Sequence, residues 1–257
     1  MKKIIIEFII IFTTLLLLFK YNIQIKNNLN IIFYEFVKNV IPSIFPILFI
    51  SNFIKNSLLD KNDSNFFRFI SLIFSYAPSN AILASNEKEL LFSTVINPLF
   101  SYSVMINFFS VKNTLIIIFI NIAINCIFLF KNITKFKTNS FQKKNITTII
   151  NETSFNIVNI FGTVIFFNIV ISILSVFISS DFLFLIEITN GFNVLKSVNN
   201  IIFRDFMLIF LNSFGGVAIF FQIKSINNDA SYLLIFKKMF VSLIISIITI
   251  LIMSLNM

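Results

Sequence analysis

Long runs of Ile, Leu, Phe and Val, parted by short polar interruptions, extend over most of this chain. The runs predict membrane-length helices at roughly 4–19, 31–57, 66–86, 88–110, 113–130, 154–178, 181–200, 206–225 and 233–256. About 20 apolar residues in a helix cross a hydrocarbon core of ~30 Å. The period-two alternation of a membrane barrel strand is missing, so helices must satisfy the backbone in lipid. The expected fold class is all-α, a polytopic helical membrane protein.

One segment departs from this pattern. Residues 131–145, KNITKFKTNSFQKKN, carry five lysines and no acid, and they part the chain into halves of similar length. Each half has a long helix (31–57, 154–178), two interrupted segments and a terminal helix (113–130, 233–256). The expected division is an N-terminal helix and loop over 1–30, a first repeat over 31–130, a Lys-rich linker over 131–153 and a second repeat over 154–257. Two pseudo-repeats, each with a pair of broken or re-entrant helices, are a common transporter device. The crossing count makes the repeats parallel; a re-entrant segment in place of one crossing would change their orientation.

The interruptions recur at matched depths. In FSYAPSNAILASNEKELLFSTVINPLF (74–100), Pro78 lies ten residues before Lys88 and Pro98 ten after it. At 1.5 Å per residue, each break is ~15 Å from the turn. In the second half a turn is expected near Phe203–Arg204–Asp205, with Gly191 twelve residues before Phe203 and Gly215 twelve after it. Both pairs of breaks therefore fall near the midplane. Lipid cannot satisfy the backbone groups that a broken helix frees, so breaks persist inside protein or beside water. Half-helix ends bring partial charges to the same place, which is the geometry of a midplane solute site. A structural kink without a ligand is the alternative for each proline.

The candidate substrate-binding residues are Pro78, Ser79, Asn80, Asn97 and Pro98 in the first half. In the second they are Glu187, Thr189, Asn190, Gly191, Gly215, Gly216 and Gln222. Glu187 leads, because an acid inside an apolar membrane run marks function by default. Its alternative role is to cap a broken helix. Thr189 and Asn190 would line that break, and Gly191 would permit its turn. Gly215–Gly216 either interrupt a helix or let two helices approach closely. Asn212 and Gln222 flank them. Arg204 and Asp205 read as a surface turn, as do Glu87, Lys88 and Glu89. Pro42 and Pro46, in VIPSIFPILFISNFI (40–54), predict a kink near the middle of helix 31–57.

Composition narrows the function classes. Of the 257 residues 57% are hydrophobic and 12% charged, where a soluble domain has about 25% charged. There is no histidine and one cysteine, Cys126. That excludes a disulfide within the chain, a structural zinc site and the common His-based catalytic sites. Cys126 reads as a small hydrophobe. No catalytic residue, metal or cofactor is expected, and the chain is not expected to be an enzyme. The net charge of +9 gathers in short loops, which fits membrane anchoring rather than nucleic-acid binding. The linker lysines favour a cytoplasmic linker, whereas Lys2, Lys3, Lys55, Lys61, Arg68, Lys237 and Lys238 count to the opposite face. Heavy Ile, Asn, Lys and Phe usage without Trp resembles that of an AT-rich genome, so a single Asn or Phe carries less weight. The segment MKKIIIEFIIIFTTLLLLFK imitates a signal peptide. Glu7 interrupts it and no small-residue cleavage site follows, so 4–19 is expected to be a retained helix.

Five segments then occur in a telling order: VIPSIFPILFISNFI (40–54), SYAPSNAILASN (75–86), INPLF (96–100), LIEITNG (185–191) and NSFGGVAIFFQIKSI (212–226). Over about residues 31–250 the chain resembles the YlbJ-like family of sporulation integral membrane proteins, which carry a gate, or nucleoside-recognition, domain. EITNG and FGG…Q are the most specific elements. The family's first break usually has glycines around its proline, where this chain has Ser75–Tyr76–Ala77–Pro78–Ser79–Asn80. The family's paired asparagines and small residue before the second proline are replaced by Thr94–Val95–Ile96–Asn97. The match is fuller at Glu187, Thr189, Asn190, Gly191, Gly215, Gly216 and Gln222.

The resemblance implies a multi-pass integral protein of the bacterial cell or forespore membrane, acting in spore formation at the envelope or cortex. The function it implies is permease-like handling of a small polar solute. The alternative is a non-transporting membrane scaffold for spore-envelope or cortex assembly. The expected partners are the lipid bilayer, a small polar solute and spore-envelope proteins, with no nucleic acid.

Overall fold

A computed structural model of the chain describes residues 16–57, 98–130, 145–175, 177, 183, 185–227 and 230–255. Those residues form helices joined by short turns, with no strand among them. The helices are α1 (Asn22–Glu35), α2 (Ile41–Ser57), α3 (Pro98–Met105), α4 (Val111–Phe130), α5 (Ile146–Leu174), α6 (Ile188–Lys196), α7 (Ile201–Phe214), α8 (Val217–Ile226) and α9 (Leu233–Leu255). A π-helical segment, Phe36–Val40, joins α1 to α2 without a break. Three stretches are long and apolar enough to cross a membrane: Ile146–Leu174, Ile201–Ser225 and Leu233–Leu255. This is a membrane protein.

Several elements differ from the sequence expectation. The first long helix begins well before residue 31, and its departure from α geometry precedes the prolines. Pro42 has no N–H for the carbonyl of Lys38 and crowds it, and the wider π turn over 36–40 sits at that carbonyl. Helix α5 starts at Ile146, inside the Lys-rich 131–153 segment, and its 29 residues extend ~43 Å. The element expected at 88–110 ends as a helix at Met105, and 106–110 form a turn before α4. The element expected at 181–200 is helical over Ile188–Lys196, too short to cross a bilayer. The turn expected at 203–205 lies instead at 197–200. Asn200 caps α7 there by accepting the Phe203 N–H at 3.0 Å. Arg204 and Asp205 therefore lie near the start of α7, within the helix, where they form an ion pair at 3.0 Å. The expected elements 4–19 and 66–86, and the turn at Glu87–Glu89, fall largely or wholly outside the described residues.

Two packing units result. In one, Phe36, Ile44 and Leu48 of the first long helix interlock with Ile157, Ile160 and Val164 of α5. Polar pairs fasten the same interface near both ends: Asn28 Nδ2 donates to Ser172 Oγ, part-buried, and Asn52 Nδ2 to Thr153 Oγ1, buried, each at 3.0 Å. Lipid provides no hydrophobic drive between helices, so such pairs and close packing hold them. In the other unit, α7 is central. Leu208, Ile209 and Leu211 pack with Met105, Ile117, Phe192, Ile219 and Leu234 from the surrounding helices. Helix α8 touches both units, since it packs on α5 as well as on α9.

Two glycines separate what this fold requires from what it tolerates. A Cβ on Gly216 would lie 3.1 Å from the Ile186 carbonyl oxygen, at a φ of +85°. A Cβ on Gly162, in α5, would meet nothing within 4 Å. Gly216→Ala is expected to lower stability by ~1–3 kcal/mol. Gly162→Ala is expected to be neutral or to raise it by up to ~1 kcal/mol. Thermal unfolding of the purified chain in detergent checks the pair.

Candidate functional site

The site begins where α6 begins. Glu187 has an extended backbone, with φ −138° and ψ 131°, and caps the helix. Its Oε2 accepts the Asn190 N–H at 3.0 Å and the Thr189 hydroxyl. The side chain of Asn168, from α5, stands beside the same carboxyl group. An acid at a helix N-terminus meets both the unsatisfied N–H groups and the positive end of the helix dipole. Glu187 is 2% exposed, so this cap is made inside the protein.

The second break lies directly against the first. Gly215 ends α7 in the left-handed region at φ 83°, and its N–H donates to the Leu211 carbonyl at 2.8 Å. Gly216 follows with φ 85° and ψ 165°, a conformation essentially confined to glycine. Helix α8 then starts with two N–H groups that find partners in the chain entering α6. Val217 donates to the Leu185 carbonyl at 3.0 Å, and Ala218 to the Ile186 carbonyl at 2.8 Å. Gly215–Gly216 thus interrupt a helix and also permit a close backbone approach. The two half-helix N-termini, of α6 and α8, lie side by side.

A pocket opens beside them, between the two packing units. Phe36, Ile44, Ile160 and Val164 form its apolar wall from one unit. Glu187, Thr189 and Gln222 supply its polar groups from the other side. Phe36 belongs to the π segment, so the widened turn faces the pocket. Gln222 is 2% exposed, and its Oε1 has no hydrogen-bond partner. A buried amide without a partner costs stability. The cavity volume is about 30 Å³, room for about two waters.

The predicted residues separate accordingly. Glu187, Thr189 and Gln222 converge on one pocket, with Gly215 and Gly216 shaping the break behind it. Asn190 contributes its backbone N–H to the Glu187 cap and does not line the pocket. Gly191 does not make the turn. It sits within α6 without a positive φ, because the extended residue Glu187 makes the bend. Pro98 opens the described part of α3. Its neighbour Phe100, not Pro98, reaches the pocket. Pro78, Ser79, Asn80 and Asn97 lie outside the described residues. Asn212 turns to another partner, accepting the Ser101 hydroxyl at 2.5 Å.

Three features escape the sequence reading. Asn168 and Phe36 come to the site from distant segments without any local signal. Lys238, counted with Lys237 only as a charge on one membrane face, lies inside α9 and is 1% exposed. Here a signal exists: Lys238, Ser242, Ser246 and Thr249 recur at four, four and three residues, one face of a helix. All four are buried while Lys237 is exposed.

Fold and pocket together define an all-helical membrane protein with a largely apolar pocket that holds three polar side chains at discontinuous helices. No family model, curated protein or solved structure matches the chain.

The site yields an asymmetric stability prediction. Glu187→Ala removes the cap of α6 and is expected to cost ~1–2 kcal/mol. Gln222→Met removes an amide that makes no bond through Oε1, and is expected to leave stability unchanged or to raise it by up to ~1 kcal/mol. Denaturation midpoints in detergent distinguish these outcomes. A large loss in Gln222→Met would mean that the amide is held by the fold.

Proposed function

We propose that this chain is a permease-like integral membrane protein that handles a small polar solute at the Glu187–Gln222 pocket. The unpartnered Gln222 Oε1, buried in the same pocket as a capping carboxylate at the meeting of two broken helices, carries the reading. Stability alone gives no reason to keep such a group, whereas a solute would complete its hydrogen bonding. Gln222 Oε1 and the Glu187 carboxyl are both acceptors. The solute class is therefore one that presents O–H or N–H donors.

The position of the pocket supports movement of that solute. Its walls come from two separately packed units, so a shift of one against the other changes its access. At about 30 Å³ the pocket holds only small groups, and a larger solute requires that shift. The pair of broken segments around α6 and Gly215–Gly216 forms the second of two related halves in this proposal. A role in spore formation, in a bacterial cell or forespore membrane, rests on the resemblance of the ordered segments to the YlbJ-like family. The role is non-catalytic.

A thermal-shift screen of purified chain against nucleosides, polyols, sugars and amino acids tests this. A saturable stabilisation is expected, weakened at least ~10-fold in both Gln222→Met and Glu187→Gln, with matching uptake into proteoliposomes. No shift from any class, together with envelope-protein capture that survives both substitutions, would replace the permease with a scaffold.

A further inference from the structure

A second buried polar cluster lies away from the pocket. No residue of α4, α7 or α9 lines the pocket, yet these three helices enclose Lys238, Asn121, Asn125, Ser213 and Ser242, all buried. Lys238 is the sixth residue of α9, ~8 Å inside its start. Its Nζ donates to Asn125 Oδ1 at 3.2 Å. Asn125 Nδ2 in turn donates to Asn121 Oδ1 at 2.8 Å, and the Ser213 hydroxyl donates to the same oxygen at 3.4 Å.

Donors are left over in this cluster. Asn125 Oδ1 accepts from Lys238, and Asn121 Oδ1 from both Asn125 and Ser213. An ammonium has three N–H groups, and one of them is placed. The Ser242 hydroxyl, one turn along α9 on the same face as Lys238, has no partner. No carboxylate among the described residues pairs with Lys238. Asp205 pairs with Arg204, and Glu187 caps α6. A lone buried ammonium loses more hydration than one neutral amide restores. Water could accept its hydrogens but would leave the charge uncompensated.

We infer that Lys238, Ser242 and the Asn121–Asn125 pair form a binding site for a compact monovalent anion, a halide or a small carboxylate. The anion takes the free N–H groups of Lys238 and the Ser242 hydroxyl. The asparagine pair holds the lysine in place from α4. Because the cluster shares no residue with the pocket, this site stands whether or not the pocket binds a solute.

The test is a thermal-stability titration of the purified full chain at fixed ionic strength and cation, with gluconate exchanged for chloride or for acetate. A saturable rise in unfolding temperature with either anion is expected. Chloride alone would identify a halide site; acetate alone or both would identify a carboxylate-accepting one. Ser242→Ala is expected to raise the midpoint anion concentration ~3–10-fold, and Lys238→Gln to abolish the dependence. Wild-type protein that unfolds at one temperature in all three anions overturns the inference, even if Lys238→Gln fails to fold. So does a dependence that persists unchanged in Lys238→Gln.

Discussion

Two backbone hydrogen bonds, from Val217 to Leu185 and from Ala218 to Ile186, allow a helix to stop and restart inside an apolar protein. Lipid offers no partner for the N–H groups at a restarting helix, and each one left unmet costs several kcal/mol. The chain entering α6 supplies the carbonyls, and it reaches them because Gly216 has no Cβ to hold it away. Glu187, next in sequence, then turns its carboxylate to the N-terminus of α6. The break, the cap and the pocket thus have one origin: two chain segments share their unmet backbone groups.

This arrangement also explains why polar atoms cluster as they do. The pocket lies where the first long helix and α5 meet the unit built on α7, so it borders two cores and belongs fully to neither. Gln222 is carried there by α8, which packs on both units. Apart from the pocket, Asn121, Asn125, Ser213 and Lys238 satisfy one another in part. Among the described residues, the pocket and this cluster are thus two separate polar places within one apolar bundle.

Much of the fold was legible because lipid imposes strong periodic demands. The apolar runs gave α4 and α9 nearly at their observed ends, and the double glycine gave the break between α7 and α8. Glu187 stood out as an acid within an apolar run, and Gln222 as a polar residue flanking the second break and within the family-like FGG…Q segment. What failed was geometry without a strong residue signal. The turn was placed at Arg204–Asp205 because charges suggest a surface, whereas Asn200 makes the cap. Gly191 was assigned a turn that the extended backbone of Glu187 provides. The Lys237–Lys238 doublet, inside the expected helix 233–256, was counted only as charge on one membrane face; on a helix the two are ~100° apart, and one is buried. Asn168 and Phe36 reach the site only through tertiary packing, which no local pattern encodes.

The account turns on whether the pocket beside the interrupted helices is reached by water-soluble molecules within the membrane. Thiol labelling measures this directly, in a Cys126→Ser background with a charged, membrane-impermeant reagent applied to each side in turn. The Gln222→Cys variant is predicted to react from at least one side, while Leu208→Cys, in the packed core of α7, stays unmodified. If Gln222→Cys is as inert as Leu208→Cys from both sides, the pocket is a sealed packing defect and the account is contradicted.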